Sequence, residues 1–166
     1  MTIQLRPWNL NDLDRLVTLA NHPDVARFMS DLFPHPYTRE AGEKFIHWTI
    51  QNCPSTIMAI IADDQVAGSI GIHPQTDILR TNAEIGYWLG KDYWGMGIMS
   101  EAVRMMVPAG FEAYPQIQRI FGRVFGGNAA SERVLEKAGF VQEGFFRDTL
   151  CKAGRHYDEL IYAIRR

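Results

Sequence analysis

Residues 94–102 read Trp-Gly-Met-Gly-Ile-Met-Ser-Glu-Ala, with two glycines one residue apart where an apolar strand pattern at residues 84–89 gives way to a helical one. Such a turn suits an anion. Glycine lets the backbone turn sharply and approach a ligand, and the first N–H groups of the next helix lack internal partners and carry the positive end of its dipole. A pyrophosphate would fit there. Two familiar phosphate loops do not: a P-loop needs Gly-Lys-Ser/Thr, and the dinucleotide fingerprint needs a third glycine after an opening β-α-β unit. No lysine follows Gly97, and Met99 and Ser100 stand where the third glycine belongs, so ATP and NAD are disfavoured. Steric need alone also places glycines in strand-to-helix turns, and other residues must decide.

About thirty residues on, Asn128-Ala-Ala-Ser131 opens a helical pattern that closes at Gly139-Phe140. Asn128 fits a helix N-cap, its side chain accepting an orphan N–H, and Gly139 fits a terminator at positive φ. Around these segments the chain alternates strand and helix. Strands are predicted at 3–7, 57–62, 66–73, 83–89, 119–125, 140–148 and 157–164, with turns at Asp63-Asp64 and Lys152-Ala153-Gly154. Helices are predicted after Asn11 as cap, through a short turn from His22 to Phe28, from Thr38 to about Asn52, and over 98–113. Pro108 removes a backbone bond inside the last of these and predicts a bend or early end, at a cost of about 3 kcal/mol.

The 166 residues are 46% hydrophobic, enough for one domain spanning 1–166 with a core that needs neither disulfide nor metal. A formal net charge of −2 gives no basic surface for nucleic acid. The opening residues hold no apolar signal core and the longest apolar run is Ile57–Ala62, so a soluble cytoplasmic protein without a membrane partner is expected. Cys53 and Cys151 match no redox or zinc spacing and are expected to be buried or idle thiols. The five histidines form no helical metal pair, so they are expected to be surface or locally bonded, with no metal.

The Gly95 to Ala102 loop-helix, the Asn-x-x-Ser helix closed by Gly-Phe, and the Gly154-Arg-His-Tyr-Asp158 hairpin together resemble the GCN5-related N-acetyltransferases, and within them the RimJ/RimL-type branch. The resemblance runs from the opening Leu5-Arg6-Pro7 strand to the last strand. It implies an α/β (α+β) acyl-CoA N-acyltransferase fold: a mixed, mostly antiparallel sheet flanked by helices, whose parallel strands at 83–89 and 119–125 splay apart to admit the cofactor's pantetheine arm.

The resemblance also implies a site for acetyl-CoA. Backbone N–H groups of Gly95, Met96, Gly97, Ile98, Met99 and Ser100 would hold the pyrophosphate. Tyr87, Trp88 and Leu89 would pair with the arm as an added strand and supply an oxyanion donor, although an ordinary core strand accounts for their side chains. Asn128 would bond the arm, and Ser131 would help protonate the leaving thiolate. Because a free amine is mostly protonated near neutral pH, attack on the thioester first requires loss of a proton. Glu84 opens the strand leading to the loop and is the expected base, directly or through water; a solvated strand-end carboxylate is the alternative. Phe28, Phe33 and Tyr37 would line the acceptor pocket, with Met29 and Trp48 beside them, unless they are simply core.

Four positions depart from the family. Trp94 and Met99 replace commoner residues of the loop, Leu135 stands where some relatives carry a tyrosine acid, and Arg123 stands where some carry a glutamate base; those last two roles do not transfer. The implied activity is direct acetyl transfer to a primary amine, either a protein N-terminus or a small molecule, by a monomer or homodimer. A catalytically inactive CoA-binding module is the rival reading.

Overall fold

A computed structural model describes residues 1–52 and 56–166, so the expectation for Cys53 lies outside the described residues. Seven strands, β1 (Ile3–Pro7), β2 (Ile57–Ala62), β3 (Gln65–Pro74), β4 (Asn82–Leu89), β5 (Arg119–Phe125), β6 (Val141–Lys152) and β7 (Arg155–Arg165), form one sheet in the order β1-β2-β3-β4-β5-β7-β6. Every neighbouring pair is antiparallel except β4 and β5. A parallel pair needs a crossover, and α4 (Ile98–Ala113) provides it.

Side-chain alternation along the strands divides the interior into two cores. On one face, Ile70, Ile72, Ile85, Ile120 and Val124 pack under α4 and under Leu135 of α5 (Ala129–Lys137). On the other, Ala59, Ile61 and Trp88 pack under Leu16 and Leu19 of α1 (Leu13–Ala20) and Ile46 of α3 (Arg39–Asn52). A four-residue helix α2 (Pro23–Ala26) follows His22, whose Nδ1 accepts from the Asp24 N–H at 3.1 Å.

Two expectations need correction. Asn9, not Asn11, is the cap: its side chain accepts from the Asn11 N–H at 3.0 Å, starting a 3-10 turn (Leu10–Asp12) that runs into α1. Asp12 decides this by reaching back to the Asn9 N–H at 3.0 Å while it holds Arg6 through two bonds of 2.7 Å, a capping box that begins two residues before Asn11. Of the bend or early end expected at Pro108, the early end does not occur: α4 continues to Ala113. Pro108 lies on the exposed face, where water can satisfy the freed carbonyl, while Val103, Met106, Val107, Gly110 and Phe111 keep the buried stripe unbroken across it.

Helix α5 carries Asn128 at its cap and Ser131 in its first turn, yet it has a single buried residue, Leu135, 1% exposed. Leu135→Ala is therefore expected to lower the unfolding free energy by about 2–5 kcal/mol, read by chemical denaturation. A loss below about 1 kcal/mol would mean that other contacts hold α5 to the sheet.

Candidate functional site

The β4–β5 ladder is short. It pairs Asn82 with Arg119, Ala83 with Ile120 and Glu84 with Phe121, and stops. Past Glu84, β4 stays on β3 as far as the Gly68–Leu89 pair, and β5 stays on β7 as far as the Phe125–Glu159 pair. Each strand is held from outside, so the two part and leave the inner edge of residues 85–89 without a strand partner. A cleft of about 1590 Å³ runs through the sheet here, bounded by α4 and α5 on one face and by Phe28, Phe33, His73 and Trp88 on the other. Sites for one small molecule usually span about 300–1,000 Å³, so this one has room for two ligands meeting in the gap.

At the α4 end, Gly95 and Gly97 have φ of +77° and +79°, and a Cβ on either would meet nothing within 4 Å. No side chain caps α4, so its first amides face the open loop. Ile98, Met99 and Ser100 anchor the turn in the protein at 0%, 7% and 8% exposure, whereas Met96 points outward and is not part of the cleft lining. The Trp94 indole N–H donates to the Leu89 carbonyl at 2.9 Å, which accounts structurally for tryptophan at this position. Arg133 and Lys137, one helical turn apart on α5, line the same end of the cleft. Sequence reasoning passed over this basic pair, though its i, i+4 spacing just after the Asn128 cap was a usable signal.

Asn128 caps α5 as expected, its side chain accepting from the Ser131 N–H at 3.3 Å. Ser131 Oγ lies 2.8 Å from the Tyr87 hydroxyl, a bond across the gap that joins β4 to α5. Burial pushes the Tyr87 pKa up, so the phenol keeps its proton. The side chains of Trp88 and Leu89 belong to the two cores, with the Trp88 ring also backing Phe33 at the cleft wall.

At the vertex, the Glu84 carboxylate lies 3.3 Å from Arg123 Nε, and Arg123 Nη1 donates to Glu159 at 2.6 Å. The Thr149 hydroxyl also donates to Glu159, at 3.0 Å. Burial raises the Glu84 pKa, Arg123 opposes that, and the nearby Glu159 charge adds to it; the net direction is upward. His73 is exposed, as expected of the histidines, and its exposed ring lines the cleft as the register partner of Glu84. Aligning the predicted strands at 66–73 and 83–89 as an antiparallel pair would have placed it there.

Across the gap, Phe28 packs against Phe125 and Tyr157 with centroids at 5.8 and 6.5 Å, and Phe33 packs between Tyr37 and Trp88 at 5.1 and 5.6 Å. Phe28 and Phe33 give the cleft an apolar wall. Tyr37 is 6% exposed, with burial pushing its pKa up to about 12, so it chiefly supports Phe33. The wall is tied to β6 by Asp31 and Lys152, 3.1 Å apart. Cys151 is a free, exposed thiol rather than a buried one. Among the described residues no group of His, Cys, Asp and Glu is arranged to hold a metal ion.

Residues 2–141 match the family described as acetyltransferase (GNAT) domain. Among curated relatives, YdaF of Bacillus subtilis, provisionally named a ribosomal N-acetyltransferase, is 34% identical over 63% of this chain and 56% of its own length. The chain thus spans little more than half of that relative. The uncharacterized N-acetyltransferase p20 of Bacillus licheniformis is 29% identical over 98% of this chain and 92% of its own. Among solved structures, RimL, a ribosomal L7/L12 alpha-N-protein acetyltransferase in complex with coenzyme A, superposes with a TM-score of 0.83 over 99% of this chain and 94% of its own, at 21% identity. At that identity the likeness carries the fold: a mixed seven-stranded sheet flanked by helices.

Because the folded pKa of Glu84 lies above its ordinary 4.5, the ionised carboxylate costs stability above that folded pKa and costs none below 4.5. Glu84→Gln is accordingly expected to unfold at a higher temperature than the unaltered protein near neutral pH, the advantage fading as pH falls toward 4.5. A lower midpoint at neutral pH would show that the Arg123 contact outweighs burial.

Proposed function

The chain belongs to the acetyltransferase (GNAT) family, and from that premise we propose that it transfers an acetyl group from acetyl-CoA to a primary amine by direct attack in a ternary complex. The observation that carries this reading is the coincidence, in one cleft, of the parted β4–β5 edge and the uncapped start of α4. The amides of residues 97–100 would receive the pyrophosphate, with Arg133 and Lys137 placed for a further phosphate group. The amide-bearing arm would lie along β4 ahead of Leu89, whose carbonyl Trp94 already occupies. A β4 backbone N–H would then face the thioester oxygen, where negative charge develops on attack.

The Tyr87–Ser131 hydroxyl pair sits on the helix side of the gap, positioned to pass a proton to the departing thiolate. Ser131 is the donor in this reading, and Tyr87 both orients it and replenishes its proton. The acceptor would enter from the opposite side, past Phe28 and Phe33, with its ammonium drawn to the Glu84 carboxylate at the vertex. An apolar wall beside a carboxylate favours an amine carried on an apolar or aromatic body. A protein α-amino group, with a pKa of roughly 7.7–8.0, needs only a weak base to become nucleophilic, and the naming of YdaF as a ribosomal N-acetyltransferase and of RimL as an alpha-N-protein acetyltransferase supports such an acceptor. We place the reaction in the cytoplasm; no described helix is long and apolar enough to cross a membrane.

Thermal unfolding with separate additions of acetyl-CoA, CoA, ATP and NAD tests the cofactor. A ligand at about 100 times its dissociation constant adds roughly 2.7 kcal/mol, which raises the midpoint of a domain this size by several degrees. The shift is expected with acetyl-CoA and CoA alone; none with either at millimolar concentration would overturn the reading. In an acetyl-transfer assay, Ser131→Ala is expected to lower kcat by about 10²-fold while the CoA-induced thermal shift stays as it was.

A further inference from the structure

His73 has no role in the reading above, yet its placement is specific. Alternation along the paired strands puts His73, Glu84, Gly71, Gly86 and Trp88 on one face of the sheet, the face through which the acceptor enters. Gly71 and Gly86 are register partners, so between the Ser69–Trp88 pair and the His73–Glu84 pair the sheet has a floor without side chains. The imidazole leans over that floor: a Cβ on Gly71 would come 3.0 Å from His73 Nε2, and one on Gly86 would come 3.7 Å from it. Gly86 lies two residues past the last β4–β5 pair. The Nε2 edge of the ring is thereby directed along the sheet to the mouth of the gap.

We propose that His73 is the group that takes the proton from the incoming ammonium, while Glu84 beside it holds that ammonium in place. The proposal rests on the acetyl-transfer reading. Among the described residues, no hydrogen bond or ion pair engages the His73 ring, whereas the Glu84 carboxylate is committed to Arg123. The Arg123 contact fixes the Glu84 carboxylate at the vertex, where it can draw the incoming cation, whereas the imidazole beside it has, among the described residues, no partner to displace before it takes a proton. The charged groups around the ring are Glu84 on β4, Arg123 on β5 and Glu159 on β7, with Arg123 bonded to both acids. From β2 the neighbour is Ile57, and from α3 the cleft receives Trp48 and Lys44, the latter paired with Glu40. Asp31 on the facing loop is paired with Lys152. Partial desolvation within the cleft lowers the His73 pKa, so the ring carries a lone pair on Nε2 near neutral pH.

The step balances. The Nε2 lone pair takes one proton from the ammonium, and the freed amine lone pair forms the C–N bond to the thioester carbonyl. The C–S bond then breaks, and the second nitrogen proton leaves with the thiol through the Ser131 and Tyr87 hydroxyls. The imidazolium returns its proton to water in the open cleft, so one proton is released per amide and thiol formed.

The test compares the unaltered protein with His73→Gln and His73→Ala. Free thiol released from acetyl-CoA is followed across pH with an alanine-initiated peptide, with benzylamine, and with water as the sole acceptor. Removing a general base costs about 10²–10⁴-fold, so kcat near neutral pH is expected to fall at least 100-fold in both variants while KM for acetyl-CoA holds. The deficit should shrink as pH approaches the acceptor's own pKa, and added imidazole should restore part of the rate to His73→Ala, whose vacated glycine floor can admit it. Turnover within about threefold of the unaltered protein, with an unchanged pH profile, would overturn the role of His73. So would a loss of turnover accompanied by loss of the CoA-induced thermal shift, since that marks a structural part. Absence of that shift in the unaltered protein would instead sink the acetyl-transfer reading itself.

Discussion

The interruption of the β4–β5 ladder after Glu84 is the constraint on which the site depends. Parallel strands ordinarily exchange hydrogen bonds along their whole shared length, and a buried backbone group left unpaired costs about 1–3 kcal/mol. Here each strand keeps its outer neighbour, β3 or β7, through the region where the inner partner is lost. The two half-sheets therefore remain ordered while the seam between them opens. That seam exposes a ready-made strand edge, and the crossover that a parallel pair requires delivers the start of α4 to its far end. The uncapped helix start and the open strand edge are thus consequences of one topological arrangement.

Charge is distributed unevenly along the resulting cleft. The α4 end combines a helix N-terminus with Arg133 and Lys137, while the vertex holds Arg123 between Glu84 and Glu159. The vertex is a compromise between two opposed effects. Burial penalises the Glu84 charge and the guanidinium supports it, and the carboxyl ends with a raised pKa and a stability cost. His73 escapes that compromise because none of the described residues bonds to its ring, and the glycine floor beneath it leaves Nε2 facing the cleft.

The sequence was most legible where local rules and tertiary structure agree. The strand-to-helix turn at Gly95–Gly97, the Asn128 cap, the Gly139 terminator and the tight turns at Asp63-Asp64 and 152–154 each have short-range chemistry that dictates them, and all stand where expected. Local rules failed where a long-range partner intervenes. Asn9 rather than Asn11 caps the first helix because Asp12 is shared with Arg6 on β1. Helix α4 survives Pro108 because the buried stripe on either side outweighs one lost bond. The glycine loop before α4 was visible in sequence, but the Tyr87–Ser131 bond joins residues 44 apart and needs the fold to be seen. His73 was missed for the same reason: a histidine on a strand says little until its register partner is known.

Amide hydrogen exchange at residues 85–88, measured with and without saturating acetyl-CoA, bears most directly on the claim that the parted strand edge receives the cofactor. If the arm adds to β4 as a strand, the amides facing the gap exchange more slowly with ligand present, while those bonded to β3 change little. Thermal stabilisation by acetyl-CoA with no change at these amides would contradict the claim, placing the ligand somewhere other than the seam.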